Sequence, residues 1–307
     1  MRFFLAIILV FVPAVSSAES IKHQGIDRWY HLFEAGLSAG ESAPLVVNLH
    51  GYRPEDSAIA ARSDPKRSSW PQMERLARIQ GFRILHPLAW KGRWSLFDGI
   101  KNAALEDGTP IDDVGFVHKL VSQLINQGLA DSNQVYLTGL SDGGIMTFRL
   151  LCNKYSPFAA GAPVIGFMRE SHLQDCREDR PPPILVIAGT LDRILPYDGW
   201  LYTNGRYLSI PETTEFWRKR YDCRGQKWEL LDDLVEDDQS RVMRIDWNGC
   251  AREGAVRLYR VEGGGHQAPS FSPPTSEWAK TKAGPRNRDI ESADHIWSFF
   301  QEFPRIE

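Results

Sequence analysis

The segment from Gln134 to Gly144 constrains this chain more than any other. Gln134-Val135-Tyr136-Leu137-Thr138 reads as a strand. Gly139-Leu140-Ser141-Asp142-Gly143-Gly144 then turns sharply, and Ile145, Phe148, Leu151 and Cys152 fall on one helical face. A strand-to-helix turn this tight strains the serine and lifts its hydroxyl clear of the sheet. The small residues at 139, 143 and 144 let neighbouring backbone come close. The pentapeptide alone is short enough to arise by chance; the strand before it and the helical pattern after it give it weight. It presents a nucleophile, whose partners should follow downstream in the order serine, acid, histidine.

Apolar, β-branched runs recur at 45–49, 82–85, 135–138, 159–165, 184–188 and 255–261. Helical patterns occupy about 72–80, 112–125, 212–221 and 293–303. Strands alternating with helices imply an α/β fold, a mostly parallel central sheet with helices on both faces. Either Asp112 or Asp113 is placed to cap the helix that follows. The acidic run 231–240 reads as the solvated tip of a hairpin between Trp228 and Val242–Trp247, with a calcium site as the lesser alternative. No Gly/Ser linker or internal repeat divides the chain, so one domain is expected.

Ligands of such sheets bind beyond the carboxyl ends of the strands. That rim collects His50, Ser141, Asp192 and His266. Asp192, in Gly189-Thr190-Leu191-Asp192, lies past a strand end where a carboxylate can orient an imidazole, with Asp198 in reserve. His266 follows three glycines that allow it to reach over the serine; His295 lies inside the last helical pattern. His266 would take the serine proton, and Asp192 would fix its tautomer. The oxyanion hole is expected from the backbone N–H groups of Asp142 and Tyr52, with Gly51 permitting the turn. His50 is then structural rather than a proton carrier.

These segments together resemble a family. Leu49-His50-Gly51, Asp112-Asp113-Val114-Gly115-Phe116, Val135 to Ser141, Gly189-Thr190-Leu191-Asp192, Gly263-Gly264-Gly265-His266 and Ile296-Trp297-Ser298-Phe299-Phe300 occur in order. The ordered set is similar to the secreted esterases related to polyhydroxybutyrate depolymerases and feruloyl or acetylxylan esterases, over about residues 25–303. The resemblance implies an α/β-hydrolase fold for a catalytic domain spanning 19–307, a Ser141–Asp192–His266 triad, an ester substrate and no cofactor. The chain departs from the family at Asp142, where a small residue is usual, and the Asp142 side chain is expected to point outward. It departs again at Tyr52-Arg53-Pro54-Glu55-Asp56, which bears on specificity more than on chemistry.

Residues 1–18 read as a signal peptide: Arg2, an apolar stretch from Phe3 to Val15, and small residues at Ser16-Ser17-Ala18. No later apolar run is long enough for a membrane helix, and the net charge of −3 offers no signal for nucleic acid. The composition leaves the oligomeric state open. Cys152, Cys176, Cys223 and Cys250 behind a secretory signal point to two disulfides. Of the three pairings, Cys152–Cys176 and Cys223–Cys250 are favoured because each brackets a local segment, and the resemblance supports the second. No Cys/His cluster favours zinc or any other metal.

Trp90 and Trp94, after the strand 82–85, are placed to stack on a sugar or phenolic group, or else to fill the core beneath a loop. Pro269 to Arg288 forms a long loop directly after His266, either a lid over the pocket or an insertion without a role. The leading function is a secreted or periplasmic serine esterase. The alternatives are a serine peptidase on the same fold and a non-catalytic carbohydrate-binding protein.

Overall fold

The structure is a computed structural model that describes residues 18–38, 40–67, 70–96, 104–176, 182–202, 205–251, 254–274 and 276–305. The expected signal peptide lies outside the described residues, save Ala18. The strands are β1 (Glu19–His23), β2 (Ile26–Phe33), β3 (Ala43–Leu49), β4 (Arg83–Pro87), β5 (Ala130–Leu140), β6 (Ala160–Val164), β7 (Ile184–Gly189), β8 (Trp200–Tyr202), β9 (Gly205–Tyr207), β10 (Gly225–Leu230), β11 (Arg241–Asn248) and β12 (Val256–Glu262). The α-helices are α1 (Glu55–Ser63), α2 (Pro71–Gln80), α3 (Asp113–Asn126), α4 (Asp142–Cys152), α5 (Ile210–Arg220), α6 (Glu277–Thr281) and α7 (Ser292–Glu302).

All strands but β8 and β9 form one sheet in the order β1-β2-β4-β3-β5-β6-β7-β12-β11-β10. Its centre, from β4 to β12, is parallel. Antiparallel strands extend both edges. The β1–β2 hairpin turns on Gln24 and Gly25, both at positive φ (49° and 77°), the backbone that a two-residue hairpin requires. The hairpin expected around the acidic run is β10–β11. Asp233 there pairs with Arg241, and Asp238 accepts from the N–H groups of Ser240 and Arg288.

The period of a strand sorts the core into two layers. Leu45, Val47 and Leu49 face the layer built with α3, α4 and α5, where Phe116, Leu120, Phe148 and Trp217 are buried. Val46 faces the layer built with α2 and α7, where Trp297 stacks on Phe82 with ring centroids 3.9 Å apart. The two aspartates before α3 divide their work. Asp112 caps the helix by accepting from the Gly115 N–H (2.8 Å). Asp113 is buried, paired with Arg28 at 2.5 Å, and accepts from the Ser95 N–H at 2.6 Å. A buried charge requires this much compensation, so Asp113 ties β2 and the segment around Ser95 to the start of α3.

Both favoured cysteine pairs are joined, Cys152 to Cys176 and Cys223 to Cys250. No helix of the described residues is long and apolar enough to cross a membrane.

Candidate active site

The sheet order places its switch point between β3 and β5, since the chain leaves β3 toward β4 on one side and returns to β5 on the other. The crevice above a switch point is where sheets of this kind take ligands, and Ser141 stands there at the end of β5. Ser141 has φ 56° and ψ −119°, a backbone that a side chain rarely adopts and that costs on the order of 1–3 kcal/mol. The turn is held open for it by its neighbours: a Cβ added at Gly143 would collide with the carbonyl of Leu49.

His266 Nε2 lies 2.8 Å from Ser141 Oγ, and its Nδ1 lies 2.6 Å from Asp192 Oδ2. A carboxylate only accepts, so the imidazole donates from Nδ1 to Asp192 and accepts from the serine hydroxyl at Nε2. The other oxygen of Asp192 accepts from the N–H groups of Ile194 and Leu195, each at 2.8 Å. His266 and Asp192 are buried, 5% and 7% exposed. The histidine backbone is clamped as well: its N–H donates to the Ala283 carbonyl, and that of Gly265 to the Pro285 carbonyl. Thus the structure brings together the three side chains singled out in the sequence, while Asp198 stays outside their hydrogen-bond chain.

His50 shows how the loop after β3 is shaped. Its Nε2 accepts from the Ala89 N–H (3.1 Å), so its proton sits on Nδ1 and is donated to the Gly51 carbonyl (2.6 Å). Burial, then the charge of Arg53, pushes this imidazole down to about 3, so it stays neutral. Because a peptide is planar and trans, fixing the Gly51 carbonyl also fixes the opposite direction of the Tyr52 N–H. Gly51 lies against the nucleophile, with a Cβ position 3.3 Å from that of Ser141. The Asp142 N–H, first in α4, has no acceptor within its helix.

Three expectations need revision. Trp94 is 1% exposed, and its indole N–H donates to the His50 carbonyl at 2.8 Å, so it braces the loop from beneath and cannot stack on a ligand. Trp90, half-buried in a one-turn helix over Trp90–Gly92, is absent from the cavity beside His266. That segment supports the loop through the Arg53 N–H, which donates to the Gly92 carbonyl (3.0 Å). Asp142 does not turn fully to solvent. It is half-buried, and burial pushes its carboxyl up against the opposing charges of Arg93 and His266.

The cavity beside His266 has a volume of about 400 Å³. Two aromatic rings that line it, Trp70 and Trp278, were not singled out from sequence. Trp278 sits edge-on to the His266 ring at 6.4 Å and is 53% exposed. A lone tryptophan in a Pro/Ser-rich loop was the available signal, and only the return of that loop against His266 gives it meaning.

No model of a known protein family matches the chain. Its likeness to solved structures is broad: it superposes on the acetyl xylan esterase of Aspergillus awamori with a TM-score of 0.60 at 14% identity, over 93% of this chain and 99% of that one. The chain has the α/β-hydrolase fold. In sequence, it is 23% identical over 252 residues to the bifunctional acetylxylan esterase/xylanase XynS20E of Neocallimastix patriciarum, covering 81% of the chain. It is 24% identical over 242 residues to feruloyl esterase B of Piromyces equi, covering 76% of the chain. The chain spans only 32% and 41% of the lengths of these two relatives.

Proposed function

We propose that this protein is a serine carboxylic ester hydrolase that works outside the cytoplasm through Ser141, His266 and Asp192. The observation that carries the reading is the hydrogen-bond chain from Ser141 Oγ through the His266 ring to Asp192, on a serine held at positive φ. In the reaction, Ser141 Oγ attacks the acyl carbon as His266 Nε2 takes its proton. The carbonyl oxygen gains charge between the N–H groups of Tyr52 and Asp142. The imidazolium then protonates the departing alcohol, leaving an acyl-enzyme that water cleaves by the same steps. Asp192 holds the imidazole in the required tautomer and stabilises its cation.

For substrate, the reading names feruloyl or acetyl esters of plant polysaccharide, or polyhydroxyalkanoate-type oligomers. The names of the two sequence relatives support the former. The two disulfides support an oxidising compartment, which the expected signal peptide over 1–18 would reach. A fluorophosphonate probe tests the chemistry. Labelling of the native protein that disappears in Ser141→Ala is expected, together with hydrolysis of 4-nitrophenyl butyrate. Labelling that persists in Ser141→Ala would remove Ser141 as nucleophile. A protein that neither labels nor cleaves any short ester would be a binder on a hydrolase fold.

A further inference from the structure

The cavity beside His266 carries a charge that ester hydrolysis alone does not call for. Arg53 reaches it from the loop after β3 and Arg286 from the loop that returns after α6. None of the described residues lining it is Asp or Glu. Burial, then the charge of Arg67, pushes the Arg53 guanidinium down to about 10. Burial pushes Arg286 down as well, against the opposing charge of Glu291, whose carboxylate accepts from Ser270 Oγ. Arg286 Nη1 donates to the Ser272 carbonyl (3.2 Å), but its Nε is buried with no hydrogen-bond partner among the described residues.

A third source of positive potential faces the same space. Trp70, Pro71 and Gln72, the cap and first turn of α2, line the cavity, and the Trp70 side chain makes no capping hydrogen bond to this ten-residue helix. Uncapped N–H groups at a helix start favour an anion. Two arginines and a helix N-terminus on the wall of a space with no described Asp or Glu in its lining give that space a positive potential that favours an anionic ligand. The indole rings of Trp70 and Trp278 supply apolar walls for the carbon skeleton that carries the charge.

We propose that Arg53 and Arg286 bind a carboxylate on the substrate itself, so that the enzyme prefers esters bearing a free acid group over neutral ones of the same size. This rests on the ester-hydrolase reading above and narrows it. Two substrate sources share the chemistry: a hydroxyacid oligomer ending in its own carboxylate, and an acylated sugar chain bearing a uronic acid. Arg53 lies in the segment where the sequence departs from the family it resembles, which fits a change of substrate rather than of mechanism.

The test is a set of matched pairs assayed at low salt: 3-hydroxybutyrate dimer against its methyl ester, and acetylated xylobiose with and without a glucuronic acid branch. The anionic member of at least one pair is expected to show kcat/KM about 10- to 100-fold higher, the worth of a charge-assisted hydrogen bond. Which pair shows it identifies the source. The preference should shrink at high salt in the native enzyme. It should fall at least about fivefold in Arg53→Gln and Arg286→Gln, and persist in part in Arg53→Lys. Equal rates within both pairs would overturn the proposal, as would a preference unchanged by salt and by both glutamine variants. Hydrolysis of neutral 4-nitrophenyl butyrate separates this outcome from failure of the esterase reading, since it proceeds whether or not the arginines select a charge.

Discussion

The sharpest prediction concerns His50, which touches neither Ser141 nor His266 by hydrogen bond and yet should control the rate. Its Nδ1–H holds the Gly51 carbonyl at 2.6 Å, and its Nε2 accepts from the Ala89 N–H at 3.1 Å. The two bonds can be cut separately. Asparagine places a donor near the position of Nδ1, and glutamine places an acceptor near that of Nε2. In His50→Gln the Gly51–Tyr52 peptide loses its tether while Ala89 stays paired. Freeing one oxyanion donor entirely would cost about 10²–10³ in kcat. Losing only the net worth of the tethering bond, about 1 kcal/mol, would cost about fivefold. The expected fall in kcat lies between, at about 10- to 100-fold, with KM changed less than about threefold because the hole acts on the transition state. His50→Asn keeps the tether and should retain most of kcat. It leaves the Ala89 N–H unpaired, at about 1–3 kcal/mol of stability. Steady-state kinetics on 4-nitrophenyl butyrate, with urea unfolding of each variant, separates the two effects. Equal loss of kcat in both variants, or full kcat in a folded His50→Gln, would refute the link from His50 to the Tyr52 N–H.

Other consequences are open to measurement. Asp192→Asn should lower kcat by on the order of 10³–10⁴-fold, since an amide no longer enforces the Nδ1–H tautomer; a loss under tenfold would remove Asp192 from its role. Stability should fall in acid before the carboxylates titrate. Burial pushes His50 and His86 down to about 3, so the folded state excludes protons that the unfolded chain binds near 6.5. Their contribution is present in full above about pH 6.5 and is lost as pH falls toward about 3, at about 1.4 kcal/mol per pH unit for each group. Urea midpoints from pH 7 to pH 4 that stay level would contradict this.

How far the site could be read from the chain follows from what sequence encodes. A parallel sheet sets the ends of its strands on one rim, so Ser141, Asp192 and His266 become neighbours once β5, β7 and β12 are recognised. Other residues defied the pattern because a partner distant in sequence decides their role. β2 contains Arg28 and His31, which look solvent-facing but are buried: Arg28 meets Asp113 across 85 residues, and His31 bonds the Ala61 carbonyl. The strand therefore lacks the clean apolar alternation that marks one. The short helix α1, with Ala58 and Ala61 as its buried residues, carries little apolar signal. Trp94 shows the limit from the other side. Its place after β4 fixes which rim it occupies, but not that the indole turns inward to the His50 carbonyl. The exposed Trp278, on α6, a helix of five residues too short to show a periodicity, is the ring that stands beside the histidine instead.

The loop that returns against His266 is joined to it along its length. His266 and Gly265 donate to carbonyls at 283 and 285, Gln267 reaches those of Ala279 and Gly284, and Ser270 donates to the Asn287 carbonyl. Surface loops ordinarily absorb insertions and exchange freely, which lets a scaffold acquire new specificity without disturbing its chemistry. Here the wall of the pocket and the seat of His266 are the same piece of backbone. Under the proposed function, substrate range is therefore expected to drift by single side-chain replacements on a loop of fixed length, since any change of length would move His266 away from Ser141.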